Sequence, residues 1–171
     1  MHPRITSILE KLGRNWKSAS LSALGGKTVR YLQQSAGASI YLRDCDQVGP
    51  NARVIGKARV HNEGRIVIGE ALHLTSLWNP IELTTGPDGL LEIGDGVAIN
   101  YGTLVSAHQR VRIGHRAMIG NFCIIADTEV PGTGDEGASP GASATPKPIE
   151  IGEGAWLAVR VTVLPGTTIG A

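Results

Sequence analysis

The chain has 171 residues, 42% of them hydrophobic and only 4% aromatic, with 23 glycines and a formal net charge of +1. That charge, without any run of Lys or Arg, gives no electrostatic footprint for nucleic acid, and no stretch of about 18 apolar residues exists to span a bilayer. Cys45 and Cys123 are too few for a disulfide framework, and the start of the chain lacks a signal peptide's apolar core and cleavage site, so the expected location is cytoplasmic.

Residues 1–36 read as an N-terminal helical segment. Ile5, Ile8, Leu9 and Leu12 share one helical face, Leu21, Leu24, Val29 and Leu32 continue further on, and Gly25-Gly26 breaks the run in two. Such a face could cap the turn of chain that follows, pack on a neighbouring subunit, or rest on a membrane through Lys11, Arg14, Lys17, Lys27 and Arg30. Capping or subunit packing is the expectation, because the ends of a repeat structure need covering, and membrane contact is not required.

From about residue 37 to 171 a six-residue beat of aliphatic residues takes over. It begins irregularly with Val48, Val54, Val60 and Ile66, then slips by two to Ile68; the segment Asn79 to Gly89, with Pro80, Pro87 and Asp88, interrupts it and reads as a coil with a turn insertion. It then runs Ile93, Ile99, Val105, Val111, again Ile113, Ile119, Ile125, and finally Ile151, Leu157, Val163, Ile169. A period of six fits neither a helix nor an ordinary strand. It fits a β-solenoid winding in a triangle, three short strands per coil with one inward aliphatic each.

Two further positions of the hexad are constrained. Directly after the aliphatic stand Gly94, Asn100, Ser106, Gly114, Gly120, Ala126, Gly152, Ala158 and Gly170, small or suited to positive φ at a tight corner. Four after it stand Val97, Thr103, Ala117, Cys123, Ala155, Val161 and Thr167, so Cys123 reads as a buried small hydrophobe. Residues 127–148 are rich in Gly, Ala, Ser, Thr and Pro and cannot form a core; they read as a loop protruding from a rigid frame, where function concentrates.

The run LEIGDGVAINYGTLVSAHQRVRIGHRAMIGNFCIIADTEV, the loop, and PIEIGEGAWLAVRVTVLPGTTIG together resemble the hexapeptide-repeat acyltransferases that acetylate sugars in bacterial surface-polysaccharide assembly. The resemblance covers about half the chain. It implies a mainly β fold, a left-handed parallel β-helix, and a homotrimer with an active site at each boundary between two chains. It also implies acetyl-CoA as acyl donor, a sugar, nucleotide-sugar or lipid-linked sugar as acceptor at a hydroxyl or amino group, and one to two coils beyond Gly170.

Acyl transfer to a sugar hydroxyl needs a base of near-neutral pKa within hydrogen-bond reach and a donor facing the thioester carbonyl. The family's base is a loop histidine in an Asp-x-Asp-x-His pattern. Here Asp127 and Glu129 match the acids, as candidate substrate-binding residues, while Pro131 stands at the histidine position. His108, one coil earlier, is the candidate displaced base or an exposed turn residue; Asn100 matches the family's asparagine near the sugar, or simply fills a left-handed corner.

Trp156 and Ala158 resemble the Trp-x-Gly of the pantetheine groove, with Gly120 in the same candidate cofactor site; Trp156 also reads as a surface aromatic. His115 reads as a solvated corner. His108 and His115 do not reproduce the close histidine pair of the zinc-binding hexapeptide-repeat carbonic anhydrases, so no metal is expected. The missing loop histidine leaves an alternative, a catalytically degenerate scaffold or binding protein on the same fold.

Overall fold

The computed structural model describes residues 34–128 and 145–171. The expected helices of residues 4–33, Glu129, Pro131 and most of the loop lie outside the described residues.

The described chain opens with one helix, α1, over residues 34–41. The domain boundary expected at 37 falls inside this helix, and the first paired strand is β1 (Gln47–Val48). Ala38 on α1 and Leu42 just past it are buried in the same core as the strands that follow, and a Cβ at Gly37 would stand 3.0 Å from the Val54 carbonyl oxygen. The end of the core is thus covered by α1, as repeat architectures require.

The remaining strands are β2 (Arg53–Asn62), β3 (Arg65–Ile68), β4 (His73–Thr85), β5 (Leu90–Ile93), β6 (Ala98–Asn100), β7 (Leu104–Ala107) and β8 (Arg110–Ile113). They continue with β9 (Met118–Ile119), β10 (Ile124–Ala126), β11 (Ile149–Ile151), β12 (Trp156–Leu157), β13 (Thr162–Val163) and β14 (Thr168–Ile169). Every pairing is parallel, and the strands stack as a β-solenoid of about five turns. Face 1 is the sheet β1-β3-β5-β8-β11-β14. The long strands β2 and β4 bend around a corner, so their first halves pair towards β6, β9 and β12 as face 2, and their second halves towards β7, β10 and β13 as face 3.

The six-residue beat is the register of this stack. Val48, Ile68, Ile93, Ile113, Ile151 and Ile169 pair one above another on face 1. Val54, Leu74, Ile99, Ile119 and Leu157 do so on face 2, and Val60, Leu83, Val105, Ile125 and Val163 on face 3. Each fully buried aliphatic side chain contributes about 1.5–3 kcal/mol of transfer free energy.

The slip by two is part of the pattern. Face 1 carries a second inward column, Ile66, Leu91, Val111 and Ile149, two residues before the first, with Val67, Glu92, Arg112 and Glu150 pointing out between them. The expected interruption at 79–89 is also smaller than its composition suggests. Strand β4 continues through Thr85 with Ile81 and Leu83 fully buried; only the corner around Leu77 and Trp78 bulges, and 86–89 turns the chain into β5.

The corner geometry differs from expectation. Positive φ falls on the third residue after the aliphatic, as at Gly96 (67°), Gly102 (71°), Arg116 (57°), Phe122 (57°) and Arg160 (60°), and not on the residue directly after it. The small residue directly after it answers to close stacking: a Cβ at Gly114 would stand 2.6 Å from the Glu153 backbone nitrogen, and one at Gly120 equally close to the Ala158 carbonyl carbon at 2.6 Å. Successive turns approach at their backbones there, which excludes a side chain.

Outward chemistry is divided between the faces. On face 1, Arg110 bonds Glu92 at 2.8 Å and approaches Glu150 at 3.7 Å, and Arg112 lies 3.5 Å from the same Glu150. Strands β6, β7, β9, β10, β12 and β13 of faces 2 and 3 contain no charged residue. Along the corner between those faces, Trp78, Tyr101 and Phe122 form a column of edge-to-face rings with centroids 4.9 and 5.3 Å apart. No described helix is long and apolar enough to cross a membrane.

Candidate functional site

The predicted site residues fall into two groups on different parts of the prism. Asn100, Gly120, Trp156 and Ala158 belong to face 2 and its corner with face 3. His108 and Asp127 lie at the far edge of face 3, where the chain turns into face 1 and where the loop leaves the solenoid.

On face 2, Asn100 ends β6, Gly120 follows β9 and Ala158 follows β12, each directly after a stacked core residue, so they rise as one row. Beside that row Trp156 sits in register on Met118, and both project outward, 74% and 50% exposed. The small row therefore runs directly beside the exposed indole. The Asn100 φ is not positive, so the left-handed corner role does not apply to it. Its Nδ2 instead donates to the Ile119 carbonyl at 3.0 Å, tying one turn to the next and leaving the amide oxygen for another donor.

Cys123 is fully buried, as its hexad position suggests; its thiol donates to the Ala158 carbonyl at 3.0 Å, and burial raises its pKa against three backbone N–H contacts. Cys45 is pushed up to about 12 by burial, with Asp44 and Asp46 adding to it. Both thiols are therefore protonated at neutral pH, which suits packing and not nucleophilic attack.

At the other edge, the Asp127 side chain has no exposed surface. Oδ1 accepts the His108 backbone N–H at 2.8 Å, and Oδ2 accepts those of Gln109 and Arg110 at 2.7 and 2.8 Å. The carboxylate thus satisfies the whole turn joining β7 to β8, three charge-assisted bonds to backbone donors. Its own carbonyl accepts the Lys147 N–H at 2.7 Å, which closes the root of the loop where the chain returns. The imidazole of His108 is 46% exposed, with Nδ1 3.9 Å from Asp127 Oδ1.

A third residue of this edge carries no recognisable sequence motif. Gly86, in the turn below, underlies the imidazole: a Cβ there would stand 2.9 Å from His108 Cδ2. The signal available for it was the turn length, since Ile93 pairs with Ile113 and Ile99 with Ile119, twenty residues on. Thr85 pairs with Ala107, which brings Gly86 beneath His108, and Ala126 pairs with Ser106, which sets Asp127 one turn on at the level of Ala107, beside His108.

The other histidines among the described residues, His115, His61 and His73, have assigned partners or positions. His115 Nδ1 accepts the Asp95 backbone N–H at 3.0 Å, so this corner is bonded as well as solvated. His61 lies 3.2 Å from Glu63. His73 is outward on face 2; its Nε2 is buried without a hydrogen-bond partner among the described residues, and burial, then Arg53, holds its pKa below the ordinary value. No group of three or more His, Cys, Asp or Glu among the described residues could hold a metal ion.

Comparison with curated proteins adds one relative to this geometry. The chain is 28% identical over 83 residues to "Probable acetyltransferase Rv3034c" of Mycobacterium tuberculosis. The match covers 48% of this chain and 28% of that protein, so the chain spans well under half of its relative's length. No family model matches the chain, and no solved structure matches it.

Proposed function

We propose that this protein is an acetyltransferase that moves an acetyl group from acetyl-CoA to a hydroxyl, or an amino group, of a sugar or surface-polysaccharide precursor, working as a homotrimer. The observation that carries the reading is the half-exposed His108 imidazole at the root of the loop with the buried carboxylate of Asp127 behind it. The similarity to a protein named a probable acetyltransferase and the β-solenoid point the same way.

In this reading His108 takes the proton of the acceptor hydroxyl, the new C–O bond forms at the acetyl carbon, the C–S bond breaks, and the departing thiolate recovers a proton. Asn100 offers its amide oxygen to a substrate donor. The row Asn100, Gly120 and Ala158 beside Trp156 suits a thin pantetheine arm, because small residues let it approach backbone N–H and C=O groups.

The homotrimer is supported by the division of the site and by the surface around it. His108 and the Trp156 row lie on different edges of one prism, so a neighbouring copy set against faces 2 and 3 would complete the site. The strands of those faces from β6 to β13 hold no charged residue, and Met118, Trp156, Ile124, Val159 and Leu164 are exposed on or beside them, as on a surface covered by another chain.

Calorimetry with acetyl-CoA tests the reading, followed by thiol release with glucosamine as a probe acceptor offering both hydroxyl and amino groups. Binding in the micromolar to millimolar range is expected; no heat at millimolar acetyl-CoA overturns it. A second reading, a non-catalytic scaffold on the same fold, is favoured by one specific observation, the Asn100 Nδ2 donating to the Ile119 carbonyl as a structural tie between turns. It predicts the same assembly with no acetyl-CoA binding.

A further inference from the structure

Asp127 was expected to bind substrate, yet its side chain is fully buried and its acceptor capacity is nearly spent. An ionised carboxylate has about four lone-pair sites. Both sites of Oδ2 are taken by the N–H groups of Gln109 and Arg110, and one of Oδ1 by that of His108. The single site left is on Oδ1, the oxygen that lies 3.9 Å from His108 Nδ1. That separation is too long for a formed hydrogen bond and short enough to become one by a small ring rotation; catalytic contacts are commonly loose before substrate binds.

The opposite edge of the ring is also defined. Cδ2 lies across the imidazole from Nδ1, and it is the atom nearest the position a Gly86 Cβ would occupy, at 2.9 Å, with Cγ at 3.5 Å and Nε2 at 3.6 Å. Any side chain at residue 86 would therefore push the ring from its place. Gly86 does not have positive φ, so its lack of a side chain serves this contact and not a backbone conformation.

We propose that Asp127 and Gly86 are positioning residues that hold His108 as the Nδ1–H tautomer, with Asp127 Oδ1 as acceptor behind the ring and the bare Gly86 backbone beneath it. Because a carboxylate only accepts, the neutral imidazole facing it must carry its proton on Nδ1. Nε2 is then left with its lone pair, and it is the atom that removes the acceptor's proton. This assignment rests on the reading of His108 as the base, and it moves Asp127 from the substrate to the machinery that orients that base.

The test is nitrogen-15 NMR of the histidine side chains in the full chain, at a pH where His108 is neutral, for the wild type, Asp127→Asn and Gly86→Ala. The wild type is expected to show a protonated Nδ1 and an unprotonated Nε2 at His108. Both variants are expected to shift the tautomer towards Nε2–H and to lower kcat for thiol release by at least about tenfold with KM little changed. A purely structural role for Asp127 would move the amide signals of residues 108–110 and the melting temperature but leave the tautomer alone.

Gly86→Ala removes no hydrogen bond of the turn, so it carries the test if Asp127→Asn does not fold. A wild-type Nε2–H tautomer, or a tautomer unmoved in folded Gly86→Ala, overturns the proposal. His108→Gln separates the two readings: full thiol release in that variant removes His108 as base even where the tautomer is as expected. Lost release with an Nε2–H wild type keeps the base and removes the positioning.

Discussion

Trp156 stands in register on Met118, one turn apart on face 2, and both side chains project into open space beside the small row of Asn100, Gly120 and Ala158. Two large apolar side chains stacked on a strand pair without charged neighbours are what a packed interface presents when its partner is removed.

On the proposed homotrimer, Trp156→Glu and Met118→Glu are therefore expected to break the assembly without unfolding the turns. Sedimentation or light scattering should show a fall towards monomer mass, while the same change at Arg112 on the ion-paired face leaves the assembly unaltered. Unchanged mass for Trp156→Glu would remove face 2 from the interface and with it the composite site.

The stacking distance at Gly120 yields a stability prediction with a matched control. Gly120→Ala places a Cβ against backbone atoms of Leu157 and Ala158, which cannot rotate away, so the two turns must separate. Overpacking of this kind costs about 1–3 kcal/mol. Gly170→Ala meets nothing within 4 Å and is expected to leave the denaturant midpoint where it was. Equal midpoints for the two variants would show that the coils are not held at this separation.

Much of the fold was legible because a solenoid repeats its inward position. Ile99 and Ile119 share a hexad phase in the sequence and pair in the sheet. The corner chemistry was harder to read, because left-handed positions are filled by Arg116, Phe122 and Arg160 as readily as by glycine, and those side chains give no sign of a strained backbone. The edge holding His108 was half legible. His108 and Asp127 stood out as residue types, but their pairing depends on a turn of twenty residues where three hexads would give about eighteen. The added two residues are the second inward position of face 1, seen in the sequence only as a slip between Ile66 and Ile68.

Acid stability should fall in two separate steps. The lower one belongs to Asp46, whose Oδ2 accepts the Ile66 N–H at 2.8 Å and the Asn62 amide at 3.0 Å. The Ile66 bond first, then that from Asn62, holds its carboxyl below the ordinary 3.8. A carboxyl depressed in the folded state binds its proton more readily when unfolded, so its stabilisation is fully present above pH 3.8 and is lost as the pH falls through the folded value. Asp46→Asn should show a smaller loss of melting temperature below pH 4 than the wild type; an identical acid limb would remove Asp46 as its source.

The upper step belongs to His73. Burial, with Arg53 adding to it, holds its pKa below the ordinary 6.5, so the unfolded chain takes up a proton that the folded chain resists. Folded stability is complete above pH 6.5 and declines as the pH falls from there towards the depressed folded value, the same sign as for Asp46 but in a higher window. His73→Leu removes both the titration and the Nε2 that has no partner among the described residues, and a buried polar atom without a partner costs about 1–3 kcal/mol. The variant should melt no lower than the wild type at pH 7.5 and should keep that melting temperature down to pH 5.5, where the wild type has lost some of it. Parallel melting curves for the two proteins across that range would assign the loss to another group.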